Sequence, residues 1–195
     1  MTSRIILGAL LAWTLSLQPA AAQVHIEGQT FDARIQVADS ELHLNGVGLR
    51  AVAWLKGYAA GLYLTQKATT PAQVYAMPGA KRLQLRMLQE VQAVEFVKAF
   101  ERGVARNTPE SEMPGLRERM TRFAEMVNAA GKVKKGDIVN LDLMPGRGLI
   151  FTLNGVVRGA AIPGDDLYAA LLRIFIGEKP TDNELKRGLL GGAAT

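Results

Sequence analysis

The stretch from residue 45 to residue 64, NGVGLRAVAWLKGYAAGLYL, constrains the fold more than any other part of the chain. Two runs within it, 49–55 and 58–64, contain leucine, valine, tryptophan and tyrosine, which favour strands. Lys56-Gly57 lies between the runs, and Asn45-Gly46 before them is a dipeptide typical of tight turns. The pattern therefore predicts a turn at Asn45-Gly46 and two neighbouring strands that are connected at Lys56-Gly57.

Hydrophobic periodicity predicts strands first, helices in the middle, further strands and then closing helices. Strands are indicated by alternation or short apolar runs, and helices by apolar residues at helical spacing. The predicted strands lie within 24–37 and at 42–44, 81–88, 138–144, 149–153 and 156–162, and the predicted helices follow Thr70 and cover about 93–107, 116–130, 165–177 and 181–189. This α+β order predicts a large antiparallel sheet with helices packed on one face and water on the other.

The first residues have the layout of a secretory signal peptide. Arg4 is followed by an apolar run from residue 5 to residue 17 and by Pro-Ala-Ala-Ala at 19–22. We expect cleavage near Ala22-Gln23, which leaves residues 23–195 as a single domain without a stable membrane span. The expected location is the periplasm or the extracellular medium.

Composition argues against several classes of function. The chain has no cysteine, which excludes disulfides, thiol catalysis and zinc-thiolate sites. Its two histidines, His25 and His43, lack the spacing of metal ligands, so we predict neither a metal nor another cofactor. The net charge of +5 is scattered along the chain, which argues against a nucleic-acid partner. The sequence does not specify an oligomeric state.

Arg50 is the charged side chain that most needs an explanation, since apolar residues flank it on both sides. A buried guanidinium needs an anionic partner. That partner is either the carboxylate of a ligand or an acid of the protein itself, with Asp142 and Glu90 as candidates. Exposure at the surface is the third alternative. From the residues alone, the internal ion pair is slightly preferred.

Several large apolar side chains lie in or beside the predicted central helices. They include Met113, Met120 and Met126, together with Phe123. Core packing is the favoured interpretation of these residues. The alternative is that the adaptable thioethers line an apolar cavity for a flexible ligand.

Three segments resemble the chalcone-isomerase-like family, in particular its bacterial exported branch. They are N-G-V-G-L-R at 45–50, K-G-Y-A-A-G-L-Y-L at 56–64 and L-L-R-I-F-I-G at 171–177. The family is related to plant chalcone isomerases and to fatty-acid-binding proteins. The resemblance implies an open-faced β-sandwich, with a ligand cleft between a large antiparallel sheet and its helices.

The resemblance also implies roles for individual residues. The arginine of the plant enzymes is present as Arg50, but Tyr58 replaces their strand threonine and Ile174 falls where they have a second threonine. We therefore predict no catalytic residue. Fatty-acid binders of the family hold a carboxylate with an arginine and a tyrosine, a role that Arg50 and Tyr58 match. The expected cavity-lining residues are Phe100, Met120, Phe123 and Ile174.

The resulting functional hypothesis is an exported, non-enzymatic binder of a small carboxylate-bearing amphiphile such as a fatty acid. A chalcone-isomerase-type intramolecular lyase is the first alternative, and an envelope scaffold with Arg50 in an internal ion pair is the second.

The site of Arg50 and Tyr58 depends on one geometric condition. A tight hairpin at Lys56-Gly57 would place Arg50 opposite Tyr63, and the Tyr58 side chain would then lie on the other face of the sheet. A looser connection or a bend at Gly57 keeps the Arg50 and Tyr58 side chains on one face.

Overall fold

Eleven strands and five helices make up the part of the chain that the computed structural model describes, residues 22–53 and 55–192. The predicted signal peptide lies outside the described residues except for Ala22. The strands are β1 (Gln23–Ile26), β2 (Gln29–Asp32), β3 (Arg34–Val37), β4 (Ser40–Val52), β5 (Leu55–Leu64), β6 (Lys81–Met87), β7 (Val91–Gln92), β8 (Lys132–Val133), β9 (Ile138–Met144), β10 (Gly148–Leu153) and β11 (Val156–Val157). The helices are α1 (Pro71–Ala76), α2 (Ala93–Asn107), α3 (Met113–Asn128), α4 (Asp165–Ile176) and α5 (Asn183–Leu189).

Seven of these strands form one antiparallel sheet in the order β11-β10-β9-β6-β5-β4-β3. The remaining strands form two small pairs, β1 with β2 and β7 with β8. Helices α2, α3, α4 and α5 contribute to the main hydrophobic core together with one face of the sheet. The predicted α+β class, with a large antiparallel sheet and helices on one face, is therefore confirmed.

The helix-facing side of the sheet is apolar because alternate residues of each strand point to the same face. In β6 these residues are Leu83, Leu85 and Met87, each no more than 1% exposed. The helices contribute their own apolar stripes, for example Phe100 of α2 and Phe123 of α3, whose ring centroids lie 4.7 Å apart. This contact packs α2 against α3.

The opposite face of the sheet is less exposed to water than the sequence predicted. Gln84 donates a hydrogen bond of 2.9 Å to Asn140, and both residues are 7% exposed. Arg82 donates two hydrogen bonds of 2.6 Å to the carboxylate of Asp142, which is 4% exposed. The polar residues thus satisfy one another across neighbouring strands. A second hydrophobic cluster covers part of this face (Phe31, Val37, Leu42, Leu44, Val47, Ala59, Tyr63 and Ala80).

The turn predicted at Asn45-Gly46 is wrong, since both residues lie inside β4. The pairing of β4 with β5 shifts between Leu44 and Gly46, which marks a bulge. The amide of Asn45 donates hydrogen bonds to the carbonyls of Ala68 (2.9 Å) and Leu189 (2.7 Å). Asn45 therefore joins three distant segments.

Lys81 carries a buried positive charge on the helix-facing side of the sheet. The residue is 4% exposed, and its ammonium donates a hydrogen bond of 2.5 Å to the carbonyl of Met77. Burial lowers the pKa of Lys81, and the nearby carboxylate of Asp165 opposes that change. The charged form of this side chain therefore destabilises the folded state.

A Lys81→Met variant is expected to gain about 1 kcal/mol in the free energy of unfolding at pH 7, because an apolar side chain replaces a buried charge. At pH values between the lowered pKa of Lys81 and about 10.4, the ordinary pKa of lysine, the unfolded chain binds more protons than the folded one. The stability of the wild type should therefore rise with pH in this window through Lys81, and this contribution should be absent from the variant. Urea unfolding between pH 7 and pH 9.5 measures how the free energy of unfolding of each protein changes with pH. The same pH dependence in the wild type and the variant would contradict the lowered pKa of Lys81.

Candidate functional site

The glycines before Arg50 allow a helix to lie directly against strand β4. Gly46, Gly48 and Arg50 alternate along the strand, and Gly46 and Gly48 contact α5. A Cβ at Gly46 would overlap the carbonyl oxygen of Gly188, and one at Gly48 would press on the backbone of Leu185. The glycines of the G-x-G-x-R segment thus serve close packing of backbone on backbone.

Helix α5 runs antiparallel to β4, so its first residues lie near Arg50. Asp182 is the N-cap of α5, and its Oδ1 accepts hydrogen bonds from the backbone N–H groups of Glu184 (2.9 Å) and Leu185 (3.0 Å). Its other oxygen, Oδ2, lies 3.4 Å from Nη1 of Arg50. One carboxylate therefore caps the helix and pairs with the arginine.

The acids proposed from the sequence as partners of Arg50 have other partners. Asp142 binds Arg82, and Glu90 lies 3.1 Å from Lys132. The side chain of Arg50 is 25% exposed and that of Asp182 is 16% exposed. An internal ion pair exists, as one of the sequence interpretations proposed, but its acid is Asp182.

Arg50 and Tyr58 are directly opposite each other in the ladder between β4 and β5. Lys56 and Gly57 lie inside β5 and not between two strands, because Val52 already pairs with Leu55, so the tight hairpin at Lys56-Gly57 does not occur. The register then shifts between Arg50 and Ala51, so that Gly57 is the extra residue of a bulge. This bulge meets the geometric condition stated above, and it puts the Arg50 and Tyr58 side chains on the same face of the sheet.

Tyr58 is half-buried and packs against the main hydrophobic core. Burial raises the pKa of Tyr58 well above its ordinary value. The positive charge of Arg50 opposes this rise, and the carboxylate of Asp182 adds to it. The phenol therefore stays protonated at physiological pH, which makes it a hydrogen-bond donor beside the Arg50 guanidinium.

A small apolar cavity of about 80 Å³ lies next to Tyr58, between the sheet and the helices. Its walls are almost entirely hydrophobic (Tyr58, Phe96, Ala99, Phe100, Phe123, Leu141, Leu171, Ile174, Phe175 and Thr181). Three of the four residues predicted as cavity-lining, Phe100, Phe123 and Ile174, belong to this wall. The fourth, Met120, packs against the same core but does not line the cavity.

The cavity is small compared with the sites of ordinary ligands. Pockets for drug-sized molecules usually measure about 300–1,000 Å³, and a cavity of about 150 Å³ holds a single benzene. A volume of about 80 Å³ accommodates only a few carbon atoms. An acyl chain can therefore enter only if the helices move away from the sheet.

Two polar residues of this site were not predicted as site residues. Thr181 lines the cavity, and Asp182 pairs with Arg50. In the sequence, both residues belong only to the start of the last predicted helix, 181–189. Asp182 would have been identified by one signal. It is a carboxylate at the start of a helix, and that helix packs on the strand that carries the unexplained Arg50.

Known proteins share the fold of this chain. A scan against protein families matches residues 23–191 to the chalcone isomerase-like family. The crystal structure of a fatty-acid binding protein of Arabidopsis thaliana is similar to this chain, with a TM-score of 0.65 and 18% sequence identity. The match covers 87% of this chain and 96% of the plant chain. At this identity the likeness shows the fold alone, and no curated protein sequence matches the chain.

Two other features, a metal site and a membrane-spanning helix, are absent from the described ranges. No three histidine, cysteine, aspartate or glutamate side chains lie together there as a possible metal site. None of the helices in residues 22–53 and 55–192 has both the length and the apolar character needed to cross a bilayer.

Proposed function

The chain belongs to the chalcone isomerase-like family, and we propose that it is an exported, non-enzymatic binder of a carboxylate-bearing amphiphile such as a fatty acid. The observation that carries the proposal is the cross-strand pair of Arg50 and Tyr58 beside an apolar cavity. Export, and assignment to the bacterial exported branch, are inferred from the signal-peptide pattern of residues 1–22.

In this proposal Arg50 binds the carboxylate and Tyr58 donates a second hydrogen bond to it. A guanidinium presents its N–H groups in a fork that suits a carboxylate, and the bonds are strengthened by charge. The apolar tail enters the space lined by Phe100, Phe123 and Ile174 as the helices separate from the sheet. The fatty-acid binding function of the plant protein of similar fold supports this choice of ligand class.

Calorimetric titration of the purified protein with decanoate tests the proposal. Arg50→Ala is expected to weaken binding about 10- to 100-fold, since charge-assisted hydrogen bonds contribute about 1.5–3 kcal/mol. Tyr58→Phe, which removes one neutral hydrogen bond, should weaken binding about fivefold. Arg34→Ala is the matched control, because Arg34 pairs with Glu41 at 3.6 Å and is 68% exposed. A wild type that binds no decanoate, or an Arg50→Ala variant that binds as well as the wild type, would rule out the proposal.

The Arg50–Asp182 ion pair favours a second candidate function, the envelope scaffold. That function requires Arg50→Ala to destabilise the fold strongly and the wild type to bind no amphiphile. Because the pair is 3.4 Å apart and partly exposed, we expect the variant to lose only about 1 kcal/mol in the free energy of unfolding. Urea unfolding of the same variant used in the titration separates the two functions. The isomerase alternative is tested in parallel by spectrophotometric assay of chalcone turnover.

A further inference from the structure

A groove between helices, lined by neither Arg50 nor Tyr58, has features of a second binding site. It lies between α1, the C-terminal ends of α2 and α4, and α5, and its volume is about 700 Å³. We call it the outer groove. Its charged lining residues are Arg106, Arg173, Lys179 and Lys186 against a single acid, Glu178.

Two of these cations have partners within the protein. Arg173 lies 2.8 Å from Glu112, and Lys186 donates a hydrogen bond of 2.8 Å to the carbonyl of Gly177. Cations near the C-terminal ends of helices are also stabilised by the helix dipole. For the side chains of Arg106 and Lys179, by contrast, no ion pair or hydrogen bond is found with the described residues. Arg106 lies in the last turn of α2, so the helix dipole accounts for its charge, whereas Lys179 lies outside the helices and has no such explanation.

Two buried hydroxyls give independent evidence for a ligand. Among the described residues, the hydroxyls of Tyr75 and Thr108 are the buried side-chain polar atoms without a hydrogen-bond partner. Both residues line the outer groove, and Thr108 is only 7% exposed. Buried polar groups in native proteins are nearly always paired, so each exception calls for an explanation.

The phenol of Tyr75 is suited to donate a hydrogen bond. Burial raises the pKa of Tyr75 to about 12, although the positive charge of Arg173 opposes the change. The phenol is therefore protonated at physiological pH. Tyr75 and Thr108 can each donate one hydrogen bond to an acceptor that carries no proton of its own.

We propose that the outer groove binds a phosphate group, carried either by a small molecule or by a lipid headgroup. The oxygens of a phosphate can accept from several donors at once, and the outer groove is lined by two hydroxyls together with guanidinium and ammonium groups. A carboxylate, with two oxygens, would leave more of these donors unpaired. Neither Arg50 nor Tyr58 lines the outer groove, so the proposal does not depend on the carboxylate site.

Binding of glycerol 3-phosphate and of phosphatidylglycerol vesicles tests this proposal. Calorimetry measures the soluble probe, and cosedimentation measures the vesicles against phosphatidylcholine vesicles as a reference. Binding of the soluble probe indicates a small-molecule ligand, and preference for phosphatidylglycerol vesicles alone indicates a lipid headgroup. Binding of neither probe overturns the proposal.

Matched variants distinguish the groove from general attraction between charges. An Arg106→Gln/Lys179→Gln double variant should lose at least about tenfold in affinity. An Arg102→Gln/Lys135→Gln double variant removes the same charge from exposed positions outside the groove and should bind like the wild type. Equal losses in the two double variants would overturn the proposal.

A Thr108→Val variant tests the buried hydroxyl itself. The variant should bind whichever probe the wild type binds, glycerol 3-phosphate or phosphatidylglycerol vesicles, about threefold more weakly. Its melting temperature should stay the same or rise, because an unpaired buried hydroxyl is removed. A lower melting temperature with unchanged affinity would show that the hydroxyl stabilises the fold and has no part in binding.

Discussion

A Gly46→Ala variant is expected to lose about 3 kcal/mol or more in the free energy of unfolding. The added Cβ would overlap the carbonyl oxygen of Gly188, and it would also meet the backbone near Gly191. Backbone atoms cannot move aside as a flexible side chain does, so α5 would have to separate from β4. This separation would also take Asp182, the N-cap of α5, away from Arg50.

Gly57→Ala is the matched control for this substitution. Gly57 also lies in the β4–β5 hairpin, but a Cβ there would be 3.5 Å from the carbonyl oxygen of Arg50, an ordinary contact. We expect a change of less than about 0.5 kcal/mol. Urea unfolding followed by circular dichroism measures both variants. Similar stability of the two variants would mean that contact between α5 and β4 is not set by Gly46.

The helices and most strands could be predicted from the sequence because their signals are local. Helix α2 ends at Asn107, as predicted, because its apolar residues repeat every three or four positions up to that point. The hairpin at Asn154-Gly155 was also predictable, since Asn154 has a φ of 53° and Gly155 a φ of 77°, as a tight turn of this kind requires. Such signals need no information about the rest of the chain.

The glycines around Arg50 were misinterpreted because their partners are far away in sequence. Asn45-Gly46 has the composition of a turn, yet Asn45 bonds to Leu189, which is 144 residues away, and Gly46 contacts Gly188. A glycine required by close packing has the same appearance in a sequence as a glycine required by a turn. Only the position of α5 distinguishes the two.

The partner of Arg50 was hidden for the same reason. Asp182 follows Arg50 by 132 residues, and its obvious local role is to cap a helix. Asp142 was a reasonable candidate, since it lies in a strand of the same sheet. Its pairing with Arg82 on the opposite sheet face follows from the register of β6 with β9, which the sequence does not specify.

The size of the cavity was also beyond what the sequence could predict. Phe100, Phe123 and Ile174 were identified as lining residues by their apolar character and the resemblance. Their packing leaves only about 80 Å³, since the rings of Phe100 and Phe123 are in contact. Side-chain identity determines which residues meet, whereas the remaining volume depends on rotamers and helix positions.

An Asp182→Asn variant is expected to bind decanoate about tenfold more tightly than the wild type, if Arg50 is the carboxylate anchor. In the wild type the carboxylate of Asp182 already lies 3.4 Å from the guanidinium, so an incoming carboxylate must displace it or lie beside a like charge. A tenfold change corresponds to about 1.4 kcal/mol, a modest value for removing one repulsive charge at a partly exposed site. Titration at pH 7 measures the difference directly.

The substitution is suitable because asparagine preserves the second role of Asp182. Asparagine caps helices about as well as aspartate, so α5 should keep its first turn and its hydrogen bonds to Glu184 and Leu185. Asp166→Asn is the matched control, because Asp166 also lies in the first turn of a helix and pairs with an arginine, Arg119, but does not contact Arg50.

The outcomes of this titration separate two claims. Tighter binding by Asp182→Asn alone supports competition between the internal carboxylate and the ligand. Equal binding of decanoate by the wild type and both variants would be consistent with Arg50 as the carboxylate anchor, but it would show that Asp182 does not compete with the ligand. Weaker binding by Asp182→Asn would mean that Asp182 orients Arg50 for the ligand. Absence of binding in every protein, including the wild type, would contradict the carboxylate site itself, because removal of the competing charge can only make the guanidinium more accessible to an anion.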